Sequence, residues 1–286
     1  MVEIFQQILN AIVLGCVYCL IASGLTLVYG IMHVPNFAQG NIYMGAAYLV
    51  FLLGCILGFN IIVVYLATVF IMGLFGLIIE RCCFRPISNT PHVNGFVIAL
   101  GILMVIEGLI VILFGADYKE VLPIWKGKVE FYGITISIQR LLVIFGTFFV
   151  MVVLHIILKK TIWGMSLVAM SQNRELALSV GINVNRMTEL AFFMSTALAG
   201  VGGILMAPIS FVFPAMGMPP LLISFAAIIF GGFGSLSGAI LGSFIMAFAG
   251  VFSMQYISAI VSDIAIFGVM IMVLLFKPTG IMGGKN

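Results

Sequence analysis

Residues 159–188 read Lys159-Lys160-Thr161-Ile162-Trp163-Gly164-Met165-Ser166-Leu167-Val168-Ala169-Met170-Ser171-Gln172-Asn173-Arg174-Glu175-Leu176-Ala177-Leu178-Ser179-Val180-Gly181-Ile182-Asn183-Val184-Asn185-Arg186-Met187-Thr188. This is the longest run in the second half of the chain that carries water-compatible residues without an apolar block long enough to cross a bilayer. Ser166 or Ser171 is predicted to cap a short helix. Leu176, Ala177 and Val180 lie close together at helical spacing, and Gly181 supplies the glycine that commonly ends a helix. Asn183 and Asn185 suit a turn. The stretch predicts a short helix laid outside the membrane between two spanning segments, presented to another protein.

The residues around this stretch explain why a membrane belongs in the reading. Of 286 residues, 63% are hydrophobic and 7% are charged, with a mean hydropathy of +1.31. A soluble domain carries about a quarter charged residues, so too few charges exist here to cover a water-exposed surface. The net charge of +3 is not clustered as a nucleic-acid surface requires. The five cysteines, Cys16, Cys19, Cys55, Cys82 and Cys83, are not spaced as a disulfide framework. Met1-Val2-Glu3 lacks the basic start of a cleaved signal peptide, so the first apolar segment is predicted to be retained.

Blocks of about 20 apolar residues are read as spanning helices. They fall near 5–30, 41–58, 61–79, 93–114, 139–158, 190–207, 221–234, 236–252 and 257–276. The predicted class is all-α: a polytopic integral membrane protein of eight or nine transmembrane helices, one domain over residues 1–286, with broken or re-entrant segments. The block 221–230 is short enough to be a half-helix, and the parity of crossings hangs on it. Lysine and arginine placement sets the orientation. Arg81, Arg85, Lys159, Lys160, Arg174, Arg186, Lys277 and Lys285 go to the cytoplasm. The loop 115–138 balances Lys119, Lys126 and Lys128 against Asp117, Glu120 and Glu130, so it lies outside. Its alternation over residues 129–134 predicts a small hairpin. The N-terminus is then outside and the C-terminus inside.

Two Pro/Gly-rich stretches interrupt the apolar blocks, one from Gly30 through Pro35 to Asn41 and one from Gly203 through Pro208 to Pro220. Each opens with Gly-Ile and then a proline at the same spacing. Corresponding broken segments in two halves are what a duplicated transporter fold leaves, with chance as the competitor for so short a match. Asn36, Gln39 and Asn41 offer donors and acceptors without fixed charge. They either border a translocation path or satisfy backbone groups freed by Pro35 and Gly40. Glu107 stands mid-block, where an acidic side chain must be paired, solvated or protonated. It is read first as a structural hydrogen-bonding residue and second as a path residue. Gly234, Gly238 and Gly242 recur every four residues and mark a helix stripe that another helix approaches closely. Arg140 can snorkel to the outer surface.

The pattern Gly164-Met165-Ser166, Ala169, Glu175-Leu176-Ala177 and Gly181-Ile182-Asn183 resembles the coupling loop of bacterial ABC-type permeases. More narrowly, it resembles that of the high-affinity Liv-type branched-chain amino acid permeases. Relatives usually carry an arginine and an aspartate where this chain has Val168 and Asn173. Residues 36–41 resemble that family's Asn-Phe-Ala-His-Gly-acidic motif, with Gln39 in the histidine position and Asn41 in the acidic one. The glycine-rich run 231–239 matches a third family segment.

The resemblance implies that Gly164, Ala169, Glu175, Ala177, Gly181 and Ile182 dock on an ATPase. It also implies a periplasmic or lipoprotein-tethered substrate-binding protein, two ABC ATPase subunits that use ATP and Mg, and a second, related permease chain in a bacterial inner membrane. The implied cargo is leucine, isoleucine and valine, with urea, amides or other small neutral solutes as alternatives. No Gly-x-x-x-x-Gly-Lys-(Ser/Thr) loop and no catalytic constellation occur, so no cofactor and no metal are assigned to this chain. An ion-coupled secondary transporter is the rival class, with Glu107 as its one strong protonatable candidate.

Overall fold

The computed structural model describes residues 2–87, 90–121, 123, 127–131 and 134–283. Lys126, Tyr132, Gly133 and Lys285 lie outside the described residues. In lipid no water is available to bond the backbone, so apolar runs become helices that satisfy their own N–H and C=O groups. The first four are α1 (Val2–Met32), α2 (Gln39–Val50), α3 (Ile61–Ile79) and α4 (His92–Phe114). Wider π-type turns prolong α2 through Phe51–Ile56 and α3 through Glu80–Phe84. Next come α5 (Ile138–Lys160), α6 (Ile162–Gln172), α7 (Arg174–Ser179) and α8 (Val184–Met206). The chain closes with α9 (Met218–Gly231), α10 (Leu236–Tyr256) and α11 (Ala259–Phe276). Among the described residues, eight helices are long and apolar enough to cross a membrane, and α9 is a shorter apolar helix. The protein is a multi-pass α-helical membrane protein. The predicted hairpin is present as β1 (Lys128–Phe131) paired antiparallel with β2 (Ile134–Ser137), Phe131 opposite Ile134.

α1 is the axis. Every residue from Gly15 to Thr26 is buried, because α5, α8, α9 and α10 pack around it. Its first turns lie at one end of the bundle, where Gln7 meets Gln255 at the end of α10. Its last residue, Met32, lies at the opposite end, beside Pro91 and Arg174. α8 runs the other way, from the elbow formed by α6 and α7 to Met206 beside Gln7 and Asn10. The packed pairs α1–α10, α2–α8 and α2–α4 recur as α8–α3, α9–α1 and α9–α11. Exchanging α1 with α8, α2 with α9, α3 with α10 and α4 with α11 therefore preserves the pattern, with direction reversed. That is an inverted repeat, consistent with the two matching broken stretches.

The break in each half reaches the middle of the bundle. Residues 33–38 turn back from the elbow end, and α2 starts beside Ser195 and Leu103, near the centres of α8 and α4. Residues 207–217 turn in from the other end, where Lys119 and Val212 exchange backbone hydrogen bonds of 2.8 and 2.9 Å. α9 then completes the passage to the elbow end, where Gly232 meets Gly280. The short block thus runs the length of the bundle together with its extended approach, and α1 starts at the end of the bundle opposite to the one where Gly280 follows α11.

Candidate functional site

The elbow is built by caps and one glycine. Thr161 Oγ1 accepts from Gly164 N at 3.0 Å and starts α6. Asn173 Oδ1 accepts from Leu176 N at 3.0 Å and starts α7. These, rather than Ser166 and Ser171, are the caps. Ser166 and Ser171 donate back to the carbonyls of Ile162 and Val168 inside α6. The single predicted helix is two, because Asn173 breaks the run with an extended backbone and its side chain caps α7. Asparagine at this position caps as well as an aspartate would. Gly164 permits the tight corner from α5, since a Cβ there would overlap the Ile157 carbonyl. Gly181, at φ +85°, ends α7 in the left-handed conformation that glycine adopts without strain.

Of the residues assigned to ATPase docking, Gly164 and Ala177 are buried into the bundle, while Ala169 and Ile182 are half-buried. Glu175 and Gly181 lie on the exposed surface. The outward face is instead dominated by Leu176 (65% exposed), Leu178 and Val180 (76%). Leu178 and Val180 were not singled out from the sequence as docking residues. Their signal was present: apolar side chains flanking the buried Ala177 on a helix too short to bury more than one face.

Above the elbow, an ionic cluster ties α3 to α8. Arg85 bonds Glu80 through Nε and Nη2 at 3.3 and 3.2 Å, and its Nη2 also contacts Glu189. Arg81 reaches the same Glu189 through two bonds of 2.9 and 3.1 Å. Glu80 is buried, and such a charge needs a partner. The π-type turn at 80–84 supplies it, since one extra residue per turn lines up positions five apart. Sequence reading placed Arg81 and Arg85 among the cytoplasmic cations, but Glu189, more than a hundred residues away, carried no local signal.

At the bundle centre Asn36, Gln39 and Asn41 are all buried. Gln39 Nε2 donates to Ser195 O at 2.7 Å and Gln39 Oε1 accepts from Ser195 Oγ at 3.2 Å. Asn41 Nδ2 donates to Leu103 O at 2.6 Å. Asn36 Oδ1 accepts from Ala38 N at 3.2 Å, while its Nδ2 has no hydrogen-bond partner among the described residues. Gly40 and Gly217 bring the starts of α2 and α9 into backbone contact: a Cβ on either would overlap the other's carbonyl. Two helix N-termini, each with a partial positive charge, therefore meet beside a spare amide donor.

Gly238 lies against the backbone of Gly231, and Gly242 against that of Ala227, so α10 and α9 pack without intervening side chains. Gly234 stands outside this stripe. It is exposed in the turn before α10 at φ +79°, where a glycine is needed for its conformation. Glu107 is half-buried on α4, between the exposed Met104, Val105 and Val111. The first-choice sequence reading gave it an internal hydrogen bond, but among the described residues it makes no hydrogen bond or ion pair.

A family model described as the permease component of branched-chain amino acid transport systems matches residues 7–274. The chain is 30% identical over 292 residues to the high-affinity branched-chain amino acid transport system permease protein BraD of Pseudomonas aeruginosa, covering 97% of this chain and 95% of that protein. The corresponding protein LivH of Escherichia coli K12 gives the same figures: 30%, 97% and 95%. A probable branched-chain amino acid transport permease protein LivH of Methanocaldococcus jannaschii is 31% identical, covering 96% and 91%. Among solved structures, PsaBC from Streptococcus pneumoniae in complex with Fab superimposes with a TM-score of 0.53 at 15% identity, covering 94% of this chain and 91% of that one. That last likeness is one of fold alone.

Proposed function

This chain belongs to the family of permease components of branched-chain amino acid transport systems, and from that premise we propose that it forms the translocation path for leucine, isoleucine and valine in an ATP-binding-cassette importer. Two partner ATPases hydrolyse ATP with Mg, a substrate-binding protein delivers the cargo, and a second permease chain completes the membrane unit. The observation that carries this reading is the elbow. Its α7 and the cap that follows expose Leu176, Leu178 and Val180, an apolar patch of the kind that marks a protein contact. The cationic residues Lys159, Lys160, Arg174 and Arg186 gather at the same end, which supports a cytoplasmic elbow and an outside N-terminus in this reading. Copurification with a nucleotide-binding subunit, and loss of uptake when that subunit cannot hydrolyse ATP, is the test. Sodium- or proton-driven uptake by the purified chain alone refutes the reading.

In this scheme the path passes the meeting point of α2 and α9. Asn36, Gln39 and Asn41 are sealed within the single subunit, so water reaches them only when the two broken helices part, as alternating access requires. Cysteine introduced at positions 36, 39 and 41 is therefore expected to react with soluble thiol reagents in at least one transport state. Complete protection in every state removes these residues from the path.

Glu107, a membrane-depth carboxyl whose side chain has no partner among the described residues, faces the second permease subunit or the water it encloses. Glu107→Gln is expected to leave the thermal midpoint of the isolated chain unchanged, within about 0.5 kcal/mol of stability, and to lower uptake. Normal uptake at normal expression ends this assignment.

A further inference from the structure

At the end of the bundle remote from the elbow, a cavity of about 390 Å³ opens between the first turns of α1 and α5 and the last turns of α8 and α10. Part of its lining is polar and linked. Arg140 Nη1 donates to Asn10 Oδ1 at 2.6 Å, Asn10 Nδ2 donates to Gln7 Oε1 at 3.0 Å, and Gln7 Nε2 donates to Gln255 Oε1 at 3.1 Å. The same lining also carries apolar side chains, Val13, Leu14 and Met254 among them. Among the described residues no carboxylate pairs with Arg140, as with Arg174 and Arg186, while Arg81, Arg85 and Lys119 are paired. Since Asn10 takes only one of the guanidinium's five donors, the others remain for a ligand.

The helix ends sharpen the polarity. α5 begins at Ile138, which places the positive end of its dipole beside Arg140. α8 ends at Met206 and α10 at Tyr256, so two negative helix ends also border the cavity. Positive and negative helix ends and apolar side chains share one concave space, and its volume falls in the range of small-molecule sites.

We infer that this cavity is an outer receiving site for a free aliphatic α-amino acid. Its carboxylate binds Arg140 in the two-pronged geometry that a guanidinium favours. Its ammonium turns toward the last turns of α8 and α10, and its branched side chain lies on Val13, Leu14 and Met254. The assignment rests on the importer reading. An arginine that merely snorkels to the outer headgroups would be indifferent to a carboxylate on the cargo, and this difference makes the site testable.

The experiment uses the assembled permease–ATPase complex in nanodiscs without the soluble binding protein. Met254→Cys serves as a reporter, with the exposed Cys55 and Cys82 replaced by serine. Leucine is expected to slow alkylation of the reporter, while leucinamide, which keeps the ammonium and side chain but lacks the carboxylate, is not. Arg140→Gln is expected to raise the leucine concentration needed for protection by roughly 10–100-fold, the range for losing hydrogen bonds to a charged group. Arg140→Lys, which keeps the charge without the fork, falls between.

Equal protection by leucinamide and leucine overturns the site, as does undiminished protection in Arg140→Gln. Absence of any protection in a complex that still takes up leucine with ATP and its binding protein also overturns it, and leaves the importer reading standing. If instead the wild-type complex fails to take up leucine, the importer reading falls, while the leucine–leucinamide comparison still decides the site. Should Arg140→Gln fail to assemble, that same comparison on the reporter alone decides.

Discussion

Leu176→Asp combined with Val180→Asp is expected to leave the permease folded and to stop coupled uptake. Both residues are mostly exposed already, at 65% and 76%, so little buried area is lost, and surface changes of this kind stay within about 0.5 kcal/mol. The contact with an ATPase is another matter. Apolar anchors at the centre of an interface are worth about 2 kcal/mol or more each, and two such losses weaken association roughly a thousandfold. Charge in a desolvated contact adds to that. The measurement pairs ATPase copurification and leucine uptake with the thermal midpoint of the purified chain. A midpoint unchanged while copurification and uptake vanish is the expected result. Copurification and uptake equal to wild type would show that α7 is not the contact.

Gly40→Ala and Gly217→Ala are expected to have the largest effect on stability. Each added Cβ would overlap backbone, the Gly217 carbonyl in one case and the Gly40 carbonyl in the other. Overpacking a core costs about 1–3 kcal/mol when side chains can adjust. Here no rotamer change relieves the overlap, so α2 and α9 must move apart at the bundle centre. Gly101, Gly108 and Gly268 provide the internal control. They lie within helices with open space around them, and Ala there is neutral or stabilising, by up to about 1 kcal/mol from helix propensity. Thermal midpoints in one detergent test the contrast. Gly40→Ala behaving like Gly101→Ala would mean that the two broken helices do not meet in backbone contact.

The range of each interaction decided how much was legible beforehand. The class was legible, because a run of about 20 apolar residues in lipid has no other way to satisfy its backbone than as a helix. The elbow's position was legible for the same reason, as the longest later stretch unable to span. Local chemistry also fixed the turn at Gly181 and the hairpin pairing at Phe131 and Ile134.

Cap identity was harder. Thr161, Ser166 and Ser171 are all competent caps, and what selects Thr161 is the corner that Gly164 makes against Ile157 at the end of α5. Only the tertiary structure decided the rest. It joined Glu80 and the two arginines to Glu189, set Gly40 against Gly217, and carried the short α9 across with its extended approach. It also placed Arg140 among the amides of α1 and α10, where a lone arginine in the sequence had implied only an anchor. Composition and periodicity act through neighbours along the chain, and so they determined which segments are helices. Contacts between residues a hundred or more positions apart depend on how those helices pack, and packing is a property of the whole bundle.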